Sequence, residues 1–160
     1  MTENEISEIV GAVLSSLPQR EVTLRQANAL IAAVRQEAER MGVKAVVAVA
    51  NAHGAPISVQ CADGAYIASY DIAVNKAFTV TALKMSTAAL KPLAAPGGSL
   101  YGIQFTNNGK IVIFGGGDVL TGKNGEIVGG LGVSGGTEEQ DTALSQYGEK
   151  WFAEHFGKER

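Results

Sequence analysis

The chain has 160 residues, of which 46% are hydrophobic and 18% charged, so it can form the core of one globular domain. Its net charge is −3, and its 13 basic residues are scattered along the chain, so the sequence shows no positive patch of the kind that binds nucleic acid. No apolar run is long enough to span a membrane. The acidic first residues and the single cysteine, Cys61, indicate a cytoplasmic protein that binds neither nucleic acid nor membrane.

The first predicted element is a short amphipathic helix in ENEISEIVGAVLSSL. Its apolar residues recur at helical spacing. Pro18 should end this helix, and residues 19–22 should link it to a domain over residues 23–160. Because such an appendage leaves its apolar face unpaired, residues 1–18 are predicted to form a targeting or interaction helix. The alternative is that this face docks on the domain itself or on a second copy.

The next elements are a helix and a hairpin. Thr23 and Gln26 have the spacing of a capping box, and Gly42 is placed to end the helix in the left-handed conformation. The stretch VKAVVAVANAHGAPISVQCADG then indicates two apolar strands around a turn from Asn51 to Pro56.

The second half of the domain begins with helical spacing in AYIASYDIAVNKAFTVTALKM, followed by a short helix from Ser86 to Leu93. Asn-Gly pairs predict hairpins in IQFTNNGKIVIF and VLTGKNGEIVGG. Thr137 and Gln140 form a capping box for a closing helix. This order favours one antiparallel sheet of about five strands that is covered by helices.

The stretch GGLGVSGGTEEQD contains a G-x-G-x-x-G pattern in Gly130, Gly132 and Gly135. A dinucleotide fingerprint requires a parallel sheet and an acidic residue about 20 positions later, after a further strand. Only one helix of chain remains here, so we interpret Gly135 and Gly136 as a sharp turn from a strand into a helix.

Several ordered stretches resemble the GlcG/HbpS-type haem-binding family, which includes the C-terminal domain of PduO-type corrinoid adenosyltransferases. They are DIAVNKAFTVTAL, APGGSLYGI, IVIFGGGDVL and GEIVGGLGVSGGTEEQD, and the resemblance runs from about Thr23 to Tyr147. It implies an α/β (α+β) fold, namely a profilin-like three-layer α/β/α arrangement with a five-stranded antiparallel sheet. It also implies homo-oligomers and haem as the cofactor.

The sequence departs from this family pattern at two positions. Asn51 stands in the hairpin turn where the family usually has an aspartate, and Cys61 stands where a basic residue usually precedes ADGA. Either difference could change which ligand is bound.

Haem needs an axial donor and an apolar surface, and three residues are candidates. His53 could bind iron or simply hydrogen-bond its own loop. Cys61 could be a thiolate ligand or a small buried hydrophobe. Tyr101 could stack on a planar ligand or pack as an ordinary aromatic residue.

A second candidate site involves Lys76, a cation inside an otherwise apolar helix. With the glycine groups Gly115, Gly116, Gly117 and Gly135, Gly136, it could form a corner that accepts an anion. The alternative is an ion pair between Lys76 and Glu139 or Asp141.

The first helix resembles the encapsulation peptides that direct cargo into bacterial microcompartments, with EISEIVGAVLSSL as the matching stretch. No nucleophile–base pair, metal-ligand cluster or phosphate loop is apparent, so a non-enzymatic role is favoured. The leading hypothesis is a haem-binding accessory protein, the cargo of a microcompartment lumen, that associates with shell or cargo proteins through residues 3–17. The alternatives are an enzyme that uses Lys76 and the glycine corners, and a structural oligomer without cofactor.

Overall fold

The structure is a computed structural model that describes residues 1–17 and 20–157. Pro18, the predicted end of the first helix, and residue 19 of the predicted linker lie outside the described residues. The helices are α1 Glu3–Ser16, α2 Leu24–Arg40, α3 Ala68–Leu83, α4 Thr87–Ala94 and α5 Glu138–Phe156. The strands are β1 Val46–Asn51, β2 Pro56–Cys61, β3 Gly117–Thr121 and β4 Ile127–Ser134.

The strands form one antiparallel sheet in the order β2-β1-β4-β3. Alternate residues of β1 point to opposite faces of the sheet, because side chains alternate along a strand. Val47 and Val49 belong to the core beneath α2 and α5, whereas Val46 and Ala48 pack against α3. The sheet is therefore covered by helices on both faces, and the three-layer arrangement is confirmed.

The predicted fifth strand is wrong, because the described residues contain four strands. Asn107, Asn108 and Gly109 all have positive φ, so the stretch IQFTNNGK forms two short 3₁₀ turns instead of a hairpin. The segment after these turns, which begins at Lys110, forms hydrogen bonds to helix α3. Its Val112 N–H donates to Thr79 Oγ1 at 3.0 Å.

The predicted helix caps agree with the structure. Thr23 Oγ1 accepts from the Gln26 N–H at 3.2 Å and Gln26 Oε1 accepts from the Thr23 N–H at 3.0 Å, so the capping box of α2 is confirmed. Gly42 has φ of 71°, and the same capping pattern begins α5 at Thr137. None of the described helices has the length and apolar character to cross a membrane.

Two glycines of the G-x-G-x-x-G pattern, Gly130 and Gly132, allow a helix to pack closely on the sheet. A Cβ at Gly132 would overlap the carbonyl oxygen of Ala73, and one at Gly130 would lie 2.5 Å from the carbonyl oxygen of Ala77. Both carbonyls belong to α3, whose backbone therefore rests directly on β4. The pattern marks a close helix–sheet contact and not a dinucleotide site.

Gly132→Ala should reduce the free energy of unfolding by about 2–3 kcal/mol, because backbone atoms of α3 would have to move to admit the methyl group. Urea denaturation measures the loss. Gly11→Ala is the control, since a Cβ at Gly11, in the exposed α1, meets no atom within 4 Å. An unchanged stability of Gly132→Ala would contradict the close contact.

Candidate functional site

Lys76 is the largest fully buried side chain among the described residues. The middle of α3 places it over the end of β4, where its Nζ donates to the Val133 carbonyl oxygen at 2.7 Å and to Asp141 Oδ2 at 3.1 Å. Nζ also lies 4.9 Å from the centre of the Phe114 ring. The ammonium is therefore held by a carbonyl, a carboxylate and an aromatic face.

Burial acts on both members of this pair. It lowers the pKa of Lys76, and the charge and hydrogen bond of Asp141 oppose that effect. Burial also raises the pKa of Asp141, opposed by Lys76 and by the Gly136 N–H. The two groups are thus closer in proton affinity than an exposed lysine and aspartate would be, and their charges depend on each other.

Both glycine groups lie near the pair of Lys76 and Asp141: a Cβ at Gly116 would be 2.6 Å from Lys76 Nζ, and the Gly136 N–H donates to Asp141. Two of the N–H groups in these glycine corners, however, already bind carboxylates of the protein. The Gly115 N–H donates to Glu138 Oε1 and the Gly136 N–H to Asp141 Oδ1, both at 2.9 Å. Of the two ion-pair partners that the sequence offered for Lys76, Asp141 is the one observed.

A cavity of about 320 Å³ opens beside this pair, between the start of α3, the end of β4 and the start of α5. Two buried hydroxyl groups lie in its wall, and Ser134 Oγ donates to Ser69 Oγ at 3.1 Å. The residues that line it are Tyr66, Ala68, Ser69, Ile72, Phe114, Ser134, Gly135, Gly136, Glu138 and Asp141.

The carboxylates of the cavity are each paired with a lysine. Glu138 bonds to the Gly115 N–H and to Lys91, and both bonds lower its pKa. Asp141 is paired with Lys76. The two carboxylates are therefore neutralised, and these two pairs add no net charge to the cavity wall.

The proposed haem ligands His53 and Cys61 lie at opposite ends of the hairpin. The His53 side chain, in the β1–β2 turn, is 82% exposed and its Nε2 lies 3.1 Å from Glu21 Oε1. Cys61 is exposed at the far end of β2. Five strand steps separate Pro56 from Cys61, a distance of about 17 Å, so both cannot bind one iron from the same copy.

Tyr101 and Asn51 are the remaining positions that the sequence singled out. Tyr101 is exposed in the loop after α4, away from the strands. Asn51 Oδ1 accepts from the N–H groups of His53 and Ala55, both at 3.0 Å. An aspartate would supply the same acceptor, so Asn51 keeps the turn that the family residue would form.

The sequence did not indicate the cavity residues Ser69, Phe114 and Ser134, whose positions in the chain show no shared spacing.

The sequence analysis also did not single out Asp118 on β3. Burial raises the pKa of Asp118 to about 6, although the Ser145 hydroxyl donates to its Oδ2 at 2.6 Å. The sequence signal that could have indicated Asp118 is an acidic residue within the otherwise apolar stretch GGGDVL. In the described part of the chain, no three His, Cys, Asp or Glu side chains are grouped as a metal site.

Comparison with known proteins places this geometry in a family. The model of the family described as "Haem degrading protein HbpS-like" matches residues 22–149. The chain therefore belongs to the HbpS-like family.

Three relatives are informative. An uncharacterised 15.0 kDa protein of the dhaT-dhaS intergenic region of Citrobacter freundii is 40% identical over 133 residues, covering 83% of this chain and 93% of that protein. The corrinoid adenosyltransferase PduO of Salmonella typhimurium is 38% identical over 117 residues, covering 73% of this chain but 34% of the relative. A crystal structure of a PduOC:heme complex is 32% identical, covers 88% of this chain and 99% of that one, and has a TM-score of 0.78.

Lys76→Met should lower the free energy of unfolding by about 3–5 kcal/mol, because it leaves the Asp141 carboxylate buried without its cation. Combining Lys76→Met with Asp141→Asn should recover part of the loss, since a neutral amide can still accept from the Gly136 N–H. Urea denaturation at neutral pH measures both. The control is Lys91→Met, which removes an exposed partner of Glu138 and should cost about 1 kcal/mol or less. A double variant less stable than Lys76→Met would contradict the argument.

Proposed function

We propose that this protein is a homo-oligomeric haem-binding accessory protein without catalytic activity of its own. The observation that carries the proposal is the similarity to PduOC, which was crystallised with haem and which this chain matches over 99% of its length. The family description, which also refers to haem, supports the same cofactor. PduO itself is matched over 34% of its length, so its adenosyltransferase activity is not part of this proposal.

The chemistry of the described residues fits haem better at the surface than in the cavity. Haem carries two propionates, and the described residues that line the cavity include no lysine or arginine to pair with them. His53 instead presents an exposed imidazole, with Glu21 placed to orient the ring as a carboxylate does for many metal-binding histidines. We therefore favour His53 as the ligand, with Cys61 as the alternative and Tyr101 as a stacking residue. Bound haem would supply iron-centred redox chemistry.

Haemin titration of the purified protein should give a saturable Soret shift, and His53→Ala should weaken haem binding at least tenfold. Cys61→Ala tests the alternative ligand. His155→Ala is the matched control, because His155 is stacked on Trp151 and its Nδ1 lies 2.7 Å from the Trp151 carbonyl oxygen. A featureless titration of the unsubstituted protein would refute haem binding.

We further propose that residues 1–18 direct the protein to the lumen of a bacterial microcompartment within the cytoplasm. Support comes from α1, which begins with a capping box at Thr2 and leaves its large apolar side chains exposed. The exposed residues are Ile6, Ile9, Val10, Val13, Leu14 and Leu17. The alternative of docking on the same chain receives no support, since a docked face would be buried. An unpaired apolar helix face is suited to helix-in-groove or bundle association.

A fluorescent reporter fused to residues 1–18 should form puncta in cells that produce microcompartment shells and remain diffuse in cells that do not. Ile9→Asp with Val13→Asp should abolish the puncta, because both side chains are 53% exposed on the apolar face. Glu8→Gln, away from this face, should leave them unchanged. A diffuse reporter in shell-producing cells would contradict the targeting role.

A further inference from the structure

The cavity and the buried pair share two of their residues. Asp141 and Phe114 both line the cavity and contact Lys76, whose amine therefore lies immediately behind the cavity wall. This region is at the opposite end of the sheet from His53. Asn51, which begins the His53 turn, pairs with Gly129 at one end of β4, whereas Ser134 at the other end lines the cavity.

The cavity wall contains a buried donor suited to a carbonyl oxygen. Ser69 Oγ and Ser134 Oγ share one hydrogen bond of 3.1 Å, which uses the proton of only one of the two hydroxyls. Both hydroxyls are at least 95% buried. The second O–H of the pair can therefore donate to a carbonyl oxygen that a ligand brings into the cavity.

The charges of the wall select against anions. Glu138 and Asp141 are paired with Lys91 and Lys76, and the described residues that line the cavity include no lysine or arginine. A ligand with a carboxylate of its own would therefore find no cation in this lining to pair with. An uncharged ligand that carries a carbonyl group fits both the donor and the charges.

We propose that this cavity binds small uncharged aldehydes and that the Lys76 amine captures them reversibly as an imine. The inference is independent of haem binding. Lys76 is the nucleophile, Asp141 exchanges protons with it, and Ser69 holds the carbonyl oxygen. A desolvated lysine next to a proton acceptor is an established form of activated amine.

The step balances in atoms and charge. The Lys76 ammonium gives one proton to Asp141 Oδ2, 3.1 Å away, and its nitrogen lone pair then attacks the aldehyde carbon. The carbonyl electron pair moves to the oxygen, which accepts from Ser69. Protonation from Asp141 and from the nitrogen lets that oxygen leave as water. One ammonium and one aldehyde thus give one protonated imine and one water, and Asp141 is again a carboxylate beside a cation.

Phe114 controls the approach of the aldehyde to the amine. Its ring lines the cavity, is 37% exposed and covers Nζ at 4.9 Å. Rotation of this one side chain opens the amine to the cavity without displacing the backbone. Phe114 is therefore the residue whose size should set the rate of capture.

Reductive trapping tests the proposal on the full chain. The protein is treated with acetaldehyde and cyanoborohydride at neutral pH, and the ethylated lysines are identified by peptide mass spectrometry. Lys76 should be modified faster than Lys91, an exposed lysine that also belongs to a carboxylate pair. Glyoxylate, an aldehyde of the same carbon count with a carboxylate, should modify Lys76 at least tenfold more slowly. If Lys76 reacts only after unfolding in urea, the proposal is wrong.

Two variants connect the reaction to the cavity. Phe114→Ala should accelerate modification of Lys76, whereas Tyr147→Ala should not, although Tyr147 has nearly the same exposure at 38%. Ser69→Ala should slow modification of Lys76 and leave that of Lys91 unchanged. Circular dichroism establishes that each variant is folded.

Equal rates of Lys76 modification in all folded variants would overturn the role of the cavity. Loss of haem binding in His53→Ala should leave the trapping of Lys76 unaffected.

Discussion

The structure depends on one buried interaction, the ion pair between Lys76 and Asp141. It joins the middle of α3 to the first turn of α5, and the Val133 carbonyl adds the end of β4 to the same contact. Because both groups are buried, each is satisfied by the other and by nearby backbone groups. The pair therefore determines where α5 begins relative to the sheet, and it places the Gly136 N–H on Asp141.

Lys76 can reach Asp141 only because α3 lies unusually close to β4. Gly130 and Gly132 remove the side chains that would otherwise separate helix and strand, and Ala73 and Ala77 are the small residues opposite them. Gly116 must also lack a side chain, since a Cβ there would lie 2.6 Å from Lys76 Nζ. Two glycines that resembled a nucleotide motif, Gly130 and Gly132, are thus explained by the close packing of α3 on β4.

The two proposed ligand regions differ in position and in chemistry. The hairpin turn at one end of the sheet offers an exposed imidazole, to which a large, partly exposed cofactor has access. The cavity at the other end is small, has buried hydroxyls and contains carboxylates that are already paired. A single ligand cannot use both, so the domain has room for two separate functions. The apolar face of α1 provides a third surface, which is outside the sheet and its helices.

Local patterns in the sequence determined the capping boxes at Thr23 and Thr137, the turn at Asn51 and the exposed apolar face of α1. Each depends on residues a few positions apart, whose preferences act before the chain is folded. The Asn-Gly hairpin rule succeeded before β4 but failed at Asn108, because the segment after it bonds to Thr79 on α3. Only the tertiary structure decided between a ligand corner and an ion pair for Lys76, and only it assembled the cavity from Ser69, Phe114 and Ser134. These residues lie 20 to 65 positions apart, and burial, which is absent in the unfolded chain, gives them their chemistry.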